Sequence, residues 1–238
     1  MNKPLLLAAG SYRCGSTLIQ RLLNTSEECH IWGEDNSFFP VMNNMLNICE
    51  RSGTRSAQQH KLFEKDKNSF TANLIPDKDT YVGGVSAFFW QTFKKDKKYF
   101  GFKTLFPSVN DLSLYNRITM GGKIVYVYRN FNMAYKSYSN IYNYIPRSEF
   151  FNLVKKSIET IKILKNTNLP SVYMLKYEDI SVETINELFD WLGINNRDNI
   201  ESTLKKKIRE VPNYRNPNKE TICASILFKE SQLRSVGV

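Results

Sequence analysis

The sequence predicts an α/β fold, a three-layer sandwich around a mainly parallel central sheet of about five strands. Three observations carry that reading. Five short apolar runs are spread along the chain, at 4–9, 29–33, 99–103, 123–128 and 171–176. Stretches with helical periodicity lie between them. The alternation of strand and helix calls for parallel pairing through crossover connections. The chain has 238 residues, enough for one such domain to bury most of its apolar surface.

The run Pro4–Ala9 reads as a buried first strand. Its apolar core, Leu5–Ala9, is shorter than the ~7 residues an export signal needs. Thr17–Leu23 follows with helical spacing. Cys29–Gly33 and Tyr99–Lys103 are the second and third strands. In the fourth, Lys123–Tyr128, the stretch Ile124–Tyr128 is β-branched and aromatic throughout, as expected of a strand covered on both faces. Phe150–Lys165 places Phe151, Val154, Ile158, Ile161 and Leu164 on one helical face. Ser171–Lys176 is the fifth strand. Ile185, Leu188, Phe189 and Leu192 form a last apolar stripe, and Gly193 is placed to stop that helix. Residues 53–78 are polar and weakly periodic and read as an insertion or lid. Residues 195–220 are loop-like and basic. The whole of 1–238 thus reads as one domain with a possible lid at 53–78 and a basic C-terminal segment at 195–238.

Composition narrows the function classes. Hydrophobic residues make up 42% and aromatics 13%, which argues against disorder. No apolar run reaches the ~18 residues of a membrane span. Cys14, Cys29, Cys49 and Cys223 show no C-x-x-C spacing, so reduced thiols in a cytoplasmic protein are expected. His30 and His60 are the two histidines, too few for a His-rich metal site, and no metal is expected. Lys and Arg number 33 against 23 Asp and Glu, a formal charge of +10. That excess reads either as a solvated lysine-rich surface or as attraction for an anionic ligand. No nucleic-acid recognition motif accompanies it, and nothing in the sequence fixes an oligomeric state.

Ligands of open parallel sheets bind at the carboxyl ends of the strands. The first strand runs into Gly10-Ser11-Tyr12-Arg13-Cys14-Gly15-Ser16-Thr17 and then an amphipathic helix. Glycines allow a tight loop whose N–H groups, with those of the helix start, face an anion. A plain strand-to-helix turn with Ser and Thr as caps is the alternative. The spacing is that of a phosphate-binding G-x-x-x-x-G-K-[ST] loop, with Ser16 in place of the lysine. The fourth strand ends in Arg129 where such proteins carry a magnesium-binding Asp. Ser137 follows in a helix expected to start near Phe131. An arginine fork and a nearby hydroxyl suit a phosphate, although each residue alone also reads as ordinary.

Together these blocks resemble the sulfotransferases that use 3′-phosphoadenosine 5′-phosphosulfate (PAPS) as donor and release adenosine 3′,5′-bisphosphate (PAP). The resemblance implies a P-loop NTPase-like α/β fold. It implies that Ser11, Tyr12, Arg13, Cys14, Gly15, Ser16, Thr17 and Leu18 hold the 5′-phosphosulfate, and that Arg129 and Ser137 hold the 3′-phosphate. Tyr173–Ile180 is similar to the family's late strand and Tyr-Glu-Asp-Leu turn, and Trp191-Leu192-Gly193-Ile194 to its Phe-Leu-Gly-Leu helix end. The four blocks stand in order over residues 5–194. The implied partners are the nucleotide donor and a hydroxyl- or amine-bearing acceptor, a sugar among the candidates; no metal is implied.

Two departures bear on mechanism. In Lys103-Thr104-Leu105-Phe106-Pro107, Leu105 stands where many family members have the histidine base of Lys-x-His-x-Pro. Glu34, after the second strand, is then the candidate base, with Arg13 and Lys103 serving the leaving group. A second reading leaves Glu34 solvated, ahead of a helix started by Asp35 or Asn36. The family's C-terminal Arg-Lys-Gly contact is not visible. Lys206, Arg209 and Arg215 stand open as replacements, with Arg215 carried as the candidate. Cys14 lies near a helix start, where a thiol's pKa can fall; a small loop filler is the simpler role. His30 reads as structural. A P-loop kinase or nucleotide phosphotransferase, or a non-catalytic nucleotide-binding module, is the rival reading. Residues 53–78 and Tyr138–Ser148 are the candidate acceptor cleft.

Overall fold

The computed structural model describes residues 2–35, 37–69, 74–141 and 145–205, the side chains of 49 and 51–56 excepted. Met1–Leu204 forms one compact unit and Lys205–Val238 a second, of which Lys205 alone falls among the described residues.

Five parallel strands form one sheet in the order β2-β3-β1-β4-β5: β1 Lys3–Ala9, β2 Cys29–Glu34, β3 Tyr99–Leu105, β4 Lys123–Tyr128 and β5 Val172–Lys176. The helices are α1 Ser16–Thr25, α2 Phe38–Lys65, α3 Lys78–Phe93, α4 Val109–Thr119, α5 Phe131–Ser139, α6 Arg147–Thr167, α7 Val182–Leu192 and α8 Ile200–Lys205. A 3-10 turn, Tyr177–Asp179, follows β5.

Side chains alternate across the sheet, as the pleat requires. Leu6, Ala8, Phe100, Phe102, Ile124 and Tyr126 face a core built with α2, α3, α4 and α6. On the other face Tyr99 donates its hydroxyl to the Leu192 carbonyl at 2.6 Å, which docks the end of α7. Leu5, Leu6 and Leu7 have no exposed surface. Burying each is worth about 1.5–3 kcal/mol, which is why this run takes the centre of the sheet. The edge strand β2 is covered by α1. Gln20 Nε2 donates to the carbonyls of Ile31 and Trp32, and Asn24 exchanges two bonds with the Ile31 main chain. That removes an edge on which another chain would pair.

Each strand lies within two residues of its sequence expectation, and Gly193 ends α7 at φ 67°. Residues 53–65, within the stretch read as an insertion or lid, continue α2, a helix of 28 residues. A polar stretch without an apolar stripe carries little helical signal of its own. Asn195–Asn199 precede α8, and the rest of the basic segment lies outside the described residues.

Candidate active site

The loop after β1 is held from below and from the side. Gly10 donates its N–H to the Val127 carbonyl at 2.8 Å, tying the loop to β4. Ser11 and Cys14 are fully buried, while Arg13 is exposed. Arg13 has φ 58° and Gly15 φ 92°. Two left-handed residues with Cys14 between them curl the main chain into a concave turn, the shape that gathers N–H groups on an anion. Gly15 is also the N-cap of α1 and offers no side chain to the helix start. Leu18 donates its N–H to the Gly15 carbonyl at 2.9 Å, and no side chain caps the helix start ahead of it, an arrangement suited to an anion. A side chain at Gly15 is barred twice, by its φ and because a Cβ there would lie 2.3 Å from the Tyr177 ring.

Buried Cys14 settles one open point. Burial pushes its thiol up from the ordinary range, and the loop and Ser16 hydrogen bonds do not offset that. It fills the loop as a neutral thiol and is a poor nucleophile at neutral pH.

Lys103, near the end of β3, is 4% exposed. Its Nζ donates to Thr17 Oγ1 at 3.1 Å and pairs with Glu34 Oε1 at 2.9 Å. A β-bulge makes that pair. Trp32 pairs with Phe102 in the ladder, yet Glu34 pairs with the next residue, Lys103, so Gly33 is the extra residue. Strict alternation would place Glu34 on the Trp32 face; the bulge re-aims it to the Lys103 face. The next helix has Ser37 as its N-cap, and Asp35 accepts from the N–H of its first residue, Phe38, at 3.0 Å. Glu34 is nevertheless not merely solvated, since it is the partner of a buried ammonium. Asn36 lies outside the described residues.

Arg129 follows β4, beside the loop. Its Nη1 donates to the Arg13 carbonyl at 3.3 Å, and its guanidinium lies 4.2 Å from the centre of the Tyr177 ring. Glu178 approaches its Nε at 3.8 Å and also accepts the Asn130 N–H at 3.1 Å. Asn130 caps α5 by accepting from the N–H groups of Asn132 and Met133. That helix carries Ser137, whose Oγ accepts from Arg13 Nε at 3.4 Å. A cavity of about 450 Å³ opens here, lined by Leu18, Arg129, Met133, Tyr177 and Ile180 among others.

The strand ends thus bring together Ser11–Leu18, Glu34, Lys103, Arg129 and Ser137. Arg215, like Lys206 and Arg209, lies outside the described residues. Tyr177 and Glu178 are the contributors that sequence reasoning did not assign to the site. Their signal was present, since they directly follow β5 at its carboxyl end.

Neither histidine reaches the Lys103–Glu34 pair. His30 packs edge-on against Trp32 with ring centres 4.5 Å apart, and His60 donates to the Ile75 carbonyl at 2.9 Å. Burial, then Lys95 and Lys97, push the His30 pKa down. Among the described residues no cluster of His, Cys, Asp and Glu could hold a metal, and no helix is long and apolar enough to cross a membrane.

Chemically, the arrangement offers N–H groups and three cations at the carboxyl edge of the sheet, with Glu34 beside Lys103 and Glu178 beside Arg129. It suits a ligand with two separated anionic groups and a proton to be removed nearby.

No family model and no curated protein matches the chain. Solved structures do. The sulfotransferase domain of the Synechococcus PCC 7002 olefin synthase aligns at a TM-score of 0.56 and 14% identity, over 87% of this chain and 78% of that one. A sugar kinase from Janibacter sp. aligns at 0.47 and 11%, over 82% and 96%. A sulfotransferase from Mycobacterium avium aligns at 0.43 and 11%, over 85% and 67%. The first of these establishes that the chain shares the α/β fold of that domain. At such identity the likeness concerns the fold and leaves the chemistry to the residues.

Proposed function

We propose that the chain is a sulfotransferase that moves a sulfuryl group from PAPS to a hydroxyl or amine. The observation that carries this reading is the double tie between Arg13 and the pair Arg129 and Ser137. A loop suited to one phosphate and an Arg/Ser pair suited to another lie side by side. PAPS carries phosphates on both sides of its ribose. The likeness to a sulfotransferase domain supports the same reading. Ser16 in place of the P-loop lysine, and Arg129 in place of a strand-end Asp, speak against Mg-ATP as donor.

The transfer is an in-line displacement at sulfur. The acceptor oxygen forms the new S–O bond as the bond to the 5′-phosphate oxygen breaks. Negative charge collects on that oxygen, and the acceptor proton must leave. Loop N–H groups, Arg13 and Ser16 meet the charge on the leaving oxygen. Lys103, already bonded to Thr17, exchanges its Glu34 partner for the sulfuryl oxygens. Glu34, freed of its ion pair, takes the proton. The cavity beside Arg129 and Tyr177 takes the nucleoside.

Calorimetric titration tests the donor. Metal-independent binding of adenosine 3′,5′-bisphosphate, with much weaker binding of ATP, is expected. Magnesium-dependent ATP binding without preference for the bisphosphate would overturn the reading in favour of a kinase. Bisphosphate binding without turnover across a broad acceptor panel would leave a nucleotide-binding module.

A further inference from the structure

Helix α5 turns different faces to different tasks. Ala134 and Tyr138 are buried against Phe150 and Val154 of α6. Met133 lines the cavity beside Arg129, and Ser137, one turn on, bonds to Arg13. Asn132, Tyr135, Lys136 and Ser139, spaced three and four apart, form the remaining face. With Arg147, the first residue of α6, they line a cavity of about 310 Å³. It shares no lining residue with the cavity beside Arg129.

The charges around this cavity are not balanced. Elsewhere on the surface Arg117 pairs with Asp79 and Arg197 with Asp190. Among the described residues no carboxylate pairs with Lys136 or Arg147. Glu149 shares the first turn of α6 with Arg147 but forms no ion pair with it. Arg147 also stands against the helix dipole, since a cation at a helix start weakens the helix. Its guanidinium is nonetheless held in place. Nη2 donates to Asn132 Oδ1 at 3.1 Å, and the group lies 5.6 Å from the centre of the Phe151 ring. Tyr135 packs on Phe150 and Phe151 at 5.3 and 6.4 Å, which fixes the wall between the two helices. The bond from Arg147 occupies Asn132 Oδ1 and leaves that side chain's NH₂ to donate as well. A fixed guanidinium and an ammonium, both short of a counter-charge, are what a dianion needs.

We propose that the cavity between α5 and α6 is a separate anion site that takes a phosphate group. Charge decides the class. Two unpaired cations match the charge of about −1.5 to −2 that a phosphate monoester carries at pH 7, whereas a carboxylate would balance one of them. The cavity stands at the lower end of the ~300–1,000 Å³ of small-molecule sites, with room for a phosphate and for part of a molecule that carries it. Free phosphate and a phosphate ester share this chemistry, and the test separates them. The assignment does not depend on the sulfotransferase reading.

The test uses the full chain saturated with adenosine 3′,5′-bisphosphate, so that the strand-end site is filled, at fixed ionic strength. Inorganic phosphate, glucose 6-phosphate and glucose are titrated by calorimetry. Saturable binding of one phosphate per chain is expected, and no binding of glucose. Arg147→Gln and Lys136→Gln are each expected to weaken phosphate binding about tenfold or more, as for a lost charge-assisted hydrogen bond. Lys155→Gln, at an exposed lysine farther along α6, is expected to change it by less than about twofold. Thermal unfolding of the three variants, expected within about 2 °C of the wild type, reports that they fold. Both source outcomes support the site: tighter binding of glucose 6-phosphate assigns it to a phosphorylated molecule, and equal binding to the free ion. Absence of saturable binding to the wild type overturns the proposal, as does binding of glucose as tight as that of its phosphate. So does affinity unchanged in both Arg147→Gln and Lys136→Gln, or an equal loss in Lys155→Gln, which would assign the binding to net charge. Failure of the bisphosphate to bind removes the donor reading alone, and the same variants then decide this proposal on the free chain.

Discussion

Arg13 and Ser137 meet across the site: the Nε of the loop arginine donates to the hydroxyl of the α5 serine at 3.4 Å. The residue expected to serve the leaving oxygen is thus hydrogen-bonded to one expected to serve the 3′-phosphate. A 3′-phosphate that claims Ser137 would release Arg13 toward the sulfuryl group. Arg13→Ala should lower turnover about 10²–10³-fold, the scale for one preorganised donor. Ser137→Ala should weaken bisphosphate binding while sparing more of kcat. Steady-state kinetics beside calorimetry separates the two effects, and near-normal turnover in Arg13→Ala would remove its role.

Arg129 makes a different contribution, because its guanidinium is positioned by Arg13, Tyr177 and Glu178 together. Arg129→Ala should weaken bisphosphate binding about 10–100-fold, as expected for charge-assisted hydrogen bonds to a phosphate. Arg129→Lys should not restore it, since a lysine lacks both the fork and the planar face that stacks on Tyr177. Comparing adenosine 5′-phosphate with the bisphosphate checks the assignment. An Arg129→Ala protein that still discriminates between them would place the 3′-phosphate elsewhere.

Gly15 should tolerate no side chain. Its φ of 92° and the Tyr177 ring both exclude a Cβ. Gly15→Ala should cost at least about 2 kcal/mol and lower Tm by roughly 5 °C. Adding Tyr177→Ala removes the clash but not the strain, so the double variant should recover stability only in part. Thermal unfolding of both variants reads this directly. Full recovery would show that φ at Gly15 is not constrained.

These contacts mark the boundary of what the sequence made legible. The strands could be read because fully buried parallel strands are nearly continuous apolar runs, as Ile124–Tyr128 is. The loop and Arg129 were found because strand ends are where ligands bind. Helices α3 and α4 were not assigned. Gly83 and Gly84 interrupt α3, and its exposed Phe88 blurs the polar face. The Ser108–Asp111 capping box of α4 was a local signal that went unread. The bulge at Gly33 and the left-handed turn at Phe106 could not be read at all. Both arise from how β3 sits beside its neighbours, which no local pattern encodes.

Stability should fall at acidic pH through Glu28. Partial burial raises its pKa, but the Asn195 N–H, Lys98 and the Asn196 N–H outweigh that and hold it below the ordinary value. Its Oε1 accepts from Asn195 at 2.6 Å and its Oε2 pairs with Lys98 at 3.0 Å. A lowered folded-state pKa means stabilisation above the unfolded value of about 4.3, lost as pH drops through the folded value. Glu28→Gln should therefore cost about 1–2 kcal/mol at pH 7 and much less at pH 3. Urea unfolding at both pH values tests it, and an equal loss at each would assign the effect to packing.

Glu34 and Lys103 form the pair on which turnover should depend most sharply. Lys103 is buried and Glu34 half-exposed, so the two substitutions should behave differently. Glu34→Gln keeps the shape, and its amide oxygen can still accept from Lys103. Bisphosphate binding should survive, while transfer falls by the ~10²–10⁴-fold that general-base catalysis contributes. Lys103→Met should impair both, because the ammonium serves the sulfuryl oxygens and holds Thr17 at the start of α1. Measuring kcat beside bisphosphate affinity for each variant tells a base from a counter-ion. If Glu34→Gln shifted only nucleotide affinity and kept kcat, Glu34 would be positioning Lys103 and the proton would leave by another route.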